Sequence, residues 1–324
     1  MTKLLICRIC SNRIPNKVFR AREMILDTKE YFEYSECSYC GCLQILEIPE
    51  GMSTYYSKQY FAANRQRSPN INAKSFFDSA VSKVNKICHR NMFPRYIRAL
   101  LKETFVFDLM RSGKFNADTA ILEVGCGSGW LLILLSELGF RNIVGLEPYS
   151  EERARANLNI LNSAIFELNE ESMFDIIIFN HSLEHIPEQV ATLAKVSRIL
   201  TRRGICQIRI PVKTEYIWNR YGAFWVQLDA PRHFFLHTMR SIQILAERAK
   251  LTITSVSFDS TAFQFWGSEQ YIRNISLRAE NSYEINPEKS IFKSATIREY
   301  SRLARQLNSK GEGDQATFYL TRKS

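Results

Sequence analysis

Three groups of side chains in this sequence have the types and spacing that chemistry needs. Cys7-Arg8-Ile9-Cys10 and Cys37-Ser38-Tyr39-Cys40 are two C-x-x-C pairs, each placing two thiols on one turn where backbone N–H groups can support the sulfurs. Four such ligands make a closed tetrahedral zinc site, which is structural because no position remains for water or substrate. Residues 121–130 read ILEVGCGSGW and continue into LLILLSEL: a buried strand, a tight turn and an apolar helix face. Glycines let the backbone approach a ligand without a Cβ clash, and the helix that follows offers free N–H groups at its start. The third group is His181-Ser182-Leu183-Glu184-His185, whose titratable residues stand at i, i+3 and i+4, on one side of a single turn, before Pro187 starts the next helix.

The glycine spacing separates two kinds of nucleotide site. A dinucleotide fingerprint G-x-G-x-x-G would use Gly125 and Gly127 and require a small residue at position 130, where Trp130 stands. The spacing is instead E-x-G-x-G-x-G, from Glu123 through Gly125 and Gly127 to Gly129. The next apolar run, Ile143 to Leu146, ends in Glu147, twenty positions after Gly127. A strand-helix-strand unit gives that separation, and a carboxylate there can accept from both hydroxyls of a ribose. Further on, FDIIIFNHSLEHIPE reads as a buried strand breaking into a polar loop, and LTRRGICQIRIP as a helix end, a Gly turn and a strand.

Taken in order over roughly residues 115–212, these blocks resemble the class I S-adenosylmethionine (SAM)-dependent methyltransferases. The resemblance implies an α/β fold, a Rossmann-like sheet with helices on both faces. It implies SAM as cofactor, held by Glu123, Gly125, Cys126, Gly127, Gly129, Glu147, Pro148 and Asn180.

The elements that must carry these groups follow from composition and charge. The chain has 324 residues, 45% of them hydrophobic, enough for a sizeable core in one large domain or two unequal ones. MTKLLIC is too short an apolar run for a signal peptide, and no run approaches the ~18 residues of a membrane span, so a cytoplasmic enzyme is expected. The eight cysteines then read as reduced thiols and metal ligands rather than disulfides. The net charge of +10 is uneven: residues 1–57 are balanced, residues 58–114 hold 12 basic and 3 acidic side chains, and the remainder is close to neutral. Three parts are expected: a zinc ribbon over 1–57, a basic, partly helical connector over 58–114, and the methyltransferase domain over 115–324 with an aromatic insert at 212–238. The connector is either a solvated face or an electrostatic guide for an anionic substrate. After the insert come a helix (MRSIQILAERAK), a strand (LTITSVSF) and a closing strand (DQATFYLTRK).

A ribbon of this size has little core, so a metal on Cys7, Cys10, Cys37 and Cys40 should supply much of its folding free energy. The ribbon, the methyltransferase blocks and the motif W-x-x-L-D-x-P-R-H at Trp225 to His233 together resemble bacterial methyltransferases of sugar and cell-surface polysaccharide synthesis. They also resemble in part the nucleotide-sugar C-methyltransferases, which carry a further C-terminal domain that this chain is too short to hold.

Methyl transfer from a sulfonium is an in-line displacement, so the protein must align a nucleophile and, for a hydroxyl, take its proton. In an open α/β sheet the groups for this lie beyond the carboxyl ends of the strands. His181, His185, His233 and Asp229 are expected there, with His181 or His233 as the base. The pattern H-x-x-E-H is similar to the E-x-x-E-H by which some hydroxyl methyltransferases hold a divalent ion, so His181, Glu184 and His185 form a second metal set, better suited to a nitrogen-tolerant ion than to Mg²⁺. In the insert, Arg232 can pair with a phosphate or cap the Asp229 turn. Tyr216, Trp218, Tyr221, Phe224 and Trp225 can stack on a sugar or form core or lid. A sugar-containing or anionic small molecule is the expected acceptor. The alternatives are an RNA methyltransferase gripping phosphates with ribbon and connector, and a non-catalytic SAM-binding scaffold.

Overall fold

The computed structural model describes residues 2–3, 5–13, 16–56, 116–148 and 158–323. The expected connector over 58–114 lies outside them. The described elements form two sheets. The smaller begins with β1 (Thr2–Lys3), β2 (Asn16–Arg22), β3 (Tyr31–Glu36) and β4 (Leu43–Ile45), all antiparallel. Its fifth strand, β10 (Phe235–Leu236), comes from the insert and pairs Phe235 with Gln44 and Leu236 with Leu43.

The larger sheet has the order β11-β12-β9-β8-β5-β6-β7. Its parallel part comprises β5 (Ala120–Val124), β6 (Asn142–Leu146), β7 (Ile160–Leu161), β8 (Phe174–Asn180) and β9 (Leu200–Pro211). The closing strand β12 (Gln315–Arg322) inserts antiparallel between β9 and β11 (Leu251–Phe258). Alternation along the central strands explains why helices cover both faces. On one face, Ile121, Ile176 and Ile178 pack with Leu131, Leu134 and Leu135 of α1 (Trp130–Glu137). On the other, Leu122, Val124, Ile177 and Phe179 share a core with Leu193 and Val196 of α2 (Gln189–Ile199). These side chains are essentially inaccessible to water, and each contributes about 1.5–3 kcal/mol of hydrophobic burial. The expected Rossmann-like α/β architecture is therefore present.

One local expectation is corrected. LTRRGICQIRIP is not a helix end and turn before a strand: α2 stops at Ile199 and the strand already begins at Leu200. Phe174 pairs with Leu200 and Ile176 with Ile205, so residues 201–204 form an excursion within the strand.

The second core face continues without a break into the smaller sheet, taking in Tyr34, Leu43 and Ile45 together with Trp225, Phe234, Phe235 and Leu236. Polar contacts fix the same seam. α4 (Met239–Arg248) buries Ile242, Leu245 and Ala246 at helical spacing. Its N-cap Thr238 accepts from the Ser241 amide at 3.1 Å and donates to the Cys40 carbonyl at 2.6 Å. Lys213 meets Glu36 at 2.8 Å. The remaining helices are α3 (Glu215–Tyr221), α5 (Phe263–Ile272) and α6 (Ser294–Lys310). Among the described residues no helix is long and apolar enough to cross a membrane.

Candidate active site

The turn between β5 and α1 is held by β6. The amides of Gly125 and Cys126 both donate to the Leu146 carbonyl, at 2.8 and 3.0 Å. Gly127, at φ +52°, donates its amide to Glu147 Oε2 at 2.8 Å, and a Cβ on it would meet nothing within 4 Å, so this bend of the turn faces open space. Gly125 answers a different need. At φ +73° it passes so close to the loop after β8 that a Cβ would lie 2.5 Å from Ser182 Cβ. Ser182 locks that approach by donating to the Val124 carbonyl at 2.6 Å. The glycine turn and the histidine loop are thus set against each other.

Glu123 is buried on β5 with Oε2 lacking a hydrogen-bond partner, and burial together with the nearby Glu147 charge pushes its carboxyl up to about 8. A cationic ligand group brought beside it would favour its charged form. Cys126 is buried and its thiol is pushed up by burial. Pro148 is exposed beside Glu147, and Asn180, at the end of β8, accepts from Arg209 at 3.4 Å. These residues converge on the carboxyl ends of β5, β6 and β8, where open α/β sheets bind ligands. A turn that presents open backbone, an acid at the second strand and an unpartnered buried acid fit SAM.

The opposite wall joins the loop after β8 to the turn at Asp229–His233. His181 is left-handed at φ +53°, and the helical turn begins only at Leu183, so the i, i+3, i+4 geometry expected for the H-x-x-E-H segment does not form. His181 still reaches Glu184, with Nδ1 3.5 Å from Oε1, and remains partly exposed while Glu184 is buried. Burial, with Arg209 nearby, holds the His181 imidazole below its usual range despite Glu184. Glu184 is anionic: burial opposes its charge, but His181, His185 and His233 hold it down at about 2. The group whose ligand atoms lie within 4.8 Å of one another is Glu184, His185 and His233, so His233 stands where His181 was expected in the second metal set. The His185 and His233 rings meet edge to face at 4.8 Å.

Arg232 resolves the choice left open for it. It is fully buried, donating from Nε and Nη2 to Asp229 Oδ1 at 2.9 and 2.6 Å and from Nη2 to Glu23 Oε1 at 2.8 Å. It caps the Asp229 turn and is inaccessible to a phosphate. Glu23 in turn accepts from the amides of Ile25, Leu26 and Thr28. Against burial, Arg232 holds the Asp229 carboxyl low. The aromatic insert divides: Tyr221 and Trp225 are core, with the Trp225 indole donating to Asp314 at 2.9 Å, whereas Trp218 packs edge-on against Phe19 of the smaller sheet and Phe224 is exposed. Glu23, Tyr56, Ser182 and Arg209 carry no signal in the sequence. Each acts on a partner distant in the chain, and no local spacing marks it.

Among the described residues Cys7, Cys10, Cys37 and Cys40 form a second metal-competent group, their sulfurs mutually within 4.8 Å. Cys7 and Cys40 approach to 3.7 Å and Cys10 and Cys37 to 3.6 Å. Cys42, just before β4, is fully buried and its thiol is pushed up by burial.

Comparison with known proteins identifies the family of the domain. Residues 89–256, more than half of the chain, match the family described as "Methyltransferase domain". A SAM-dependent methyltransferase from Archaeoglobus fulgidus is similar, at 16% identity and TM-score 0.44 over 69% of this chain and 94% of that one. A putative sarcosine dimethylglycine methyltransferase from Galdieria sulphuraria is similar at 16% identity and TM-score 0.48, over 71% and 88% of the two chains. The cyclopropane synthase MmaA2 from Mycobacterium tuberculosis gives 16% identity and TM-score 0.41, over 68% and 85%. By its family match, its α/β sheet and its glycine turn, the chain belongs to the methyltransferase-domain family and is a SAM-dependent methyltransferase.

Proposed function

We propose that this methyltransferase acts on a hydroxyl or carbon of a sugar-containing small molecule in the cytoplasm, with the acceptor between the His181–His185 loop and the Asp229–His233 turn. What carries the reading is the convergence of His181, Glu184, His185, Asp229 and His233 on one wall beside the glycine turn. The sugar class is supported by the pairing of a four-cysteine module with W-x-x-L-D-x-P-R-H, the motif's last residue, His233, accepting at its carbonyl from Tyr34 of the smaller sheet at 2.9 Å. The RNA reading leans on the cysteine module together with the basic residues of 58–114, and the latter lie outside the described part.

In this reading Glu147 would accept from the ribose hydroxyls of SAM, Glu123 would face its ammonium, and Gly125, Cys126, Gly127, Gly129, Pro148 and Asn180 would hold the rest of it. SAM supplies an electrophilic methyl group on a sulfonium. The protein aligns the acceptor and, for a hydroxyl, removes its proton. His181 is suited to accept that proton, being half-exposed, largely neutral and oriented by Glu184. Losing the charge-assisted hydrogen bonds of Glu147 should cost about 1.5–3 kcal/mol. Calorimetry of Glu147→Ala should therefore show weaker binding of SAM and of S-adenosylhomocysteine, and unchanged affinity would remove the ribose role.

The direct test of the reaction is methyl transfer from labelled SAM to a panel of nucleotide sugars and glycosides, with RNA as the contrasting acceptor. His181→Ala should lower turnover by about 10²–10⁴-fold while leaving SAM affinity nearly constant. Labelling of RNA alone would overturn the sugar reading, and full turnover in the variant would remove the base.

The four cysteines hold structural zinc in this proposal, consistent with reduced thiols in a cytoplasmic protein. Elemental analysis should find one zinc that Cys37→Ser and Cys40→Ser lose together with protease resistance over residues 16–56. Native resistance in zinc-free protein would contradict it.

A further inference from the structure

We propose that Glu184, His185 and His233 form a second metal site, for a divalent transition ion, distinct from the four cysteines. The ring nitrogens are already oriented for it. His185 Nδ1 lies 2.8 Å from the Arg232 carbonyl and His233 Nδ1 lies 2.7 Å from the Gln227 carbonyl. A carbonyl only accepts, so each Nδ1 carries a proton and donates it. With Nδ1 protonated, Nε2 is the nitrogen left to offer a lone pair to an ion. Metal-ligating histidines are arranged in this way, the outer N–H anchored on a carbonyl and the inner nitrogen turned to the ion.

The third member is the Glu184 carboxylate, fully buried with neither oxygen hydrogen-bonded. His233 Nε2 stands 3.9 Å from Glu184 Oε1 and 3.7 Å from Asp229 Oδ2. Both distances exceed a hydrogen bond, so a proton on that nitrogen would not bridge them. With both rings neutral, two nitrogen lone pairs and a carboxylate face one another, an arrangement that a cation among them would stabilise; His181 Nδ1 also stands 3.5 Å from Glu184 Oε1. Ligands about 2.0–2.2 Å from one ion span edges of about 3.4 Å in a tetrahedral site, so side-chain rotation of roughly an ångström closes the set. Two imidazoles and one carboxylate select Mn²⁺, Fe²⁺, Co²⁺ or Zn²⁺ over Mg²⁺ and leave positions open for an acceptor oxygen. Arg232 and Tyr56 complete the support: Arg232 lends its carbonyl to His185 and ties Asp229, and the Tyr56 hydroxyl lies 3.0 Å from His185 Nδ1.

The role of such an ion beside the acceptor rests on the proposed reaction, but its binding does not. Full-length protein with zinc in the cysteine site is titrated with Co²⁺ and followed by calorimetry and absorption. One further ion should bind, with ligand-field bands and no thiolate charge-transfer band. Glu184→Gln and His233→Gln should each weaken that ion by more than the about 10–100-fold that outer-shell changes cost, while still binding SAM. A wild-type protein that takes up no ion beyond the cysteine zinc overturns the proposal even if methyl transfer is active. So does equal Co²⁺ affinity in the two variants. Because the wild-type stoichiometry decides on its own, a variant that fails to fold leaves the test intact.

Discussion

The Asp229–His233 turn, the proposed acceptor wall, is held by one buried ionic contact, the Arg232 guanidinium between Asp229 and Glu23. Taking three charged groups out of water is costly, and the arrangement stands only because its hydrogen-bonding capacity is engaged. Glu23 spends its oxygens on the amides of its own loop as well as on Arg232. Arg232 also reaches the Tyr55 carbonyl at 3.3 Å. Removing one partner of such a set typically costs about 3–5 kcal/mol, because a charge is left buried without compensation. The contact joins residues 209 positions apart, and the turn it holds carries Asp229 and His233.

This explains why the four-cysteine module and the catalytic sheet share a core instead of standing as separate bodies. β10 completes the smaller sheet, Tyr34 donates to the His233 carbonyl at 2.9 Å, and Thr238 binds the Cys40 carbonyl. The smaller sheet is thereby tied to the Asp229–His233 turn. The glycine turn is held by β6 and by the Ser182 contact, through which it also meets the histidine loop.

What was legible in the sequence was local. The glycine turn, the acid twenty positions on and the two C-x-x-C pairs depend on short spacings, and the apolar runs marked the central strands because strands buried on both faces are nearly continuous in hydrophobicity. The left-handed His181 was not legible, since a histidine after a strand end gives no sign of its φ. Nor was the exchange of His233 for His181 beside Glu184 and His185, which depends on a turn delivered from the insert. Arg232 could be narrowed only to two roles, because its deciding partner, Glu23, lies in the other sheet's loop. The strand that begins at Leu200 is hidden in the sequence because Gly204 resembles a helix stop when its β8 partner is unknown.

The most direct test of the account is amide hydrogen exchange on wild-type protein and Glu23→Gln, read over the Asp229–Leu236 segment and over the glycine turn. The Arg232, His233 and Phe234 amides are hydrogen-bonded within or beside this turn. If Glu23 holds the acceptor wall through Arg232, exchange should accelerate in that segment and stay unchanged at Gly125 and Gly127. Unchanged exchange over Asp229–Leu236 in a folded variant would contradict the claim that the N-terminal module positions the acceptor side.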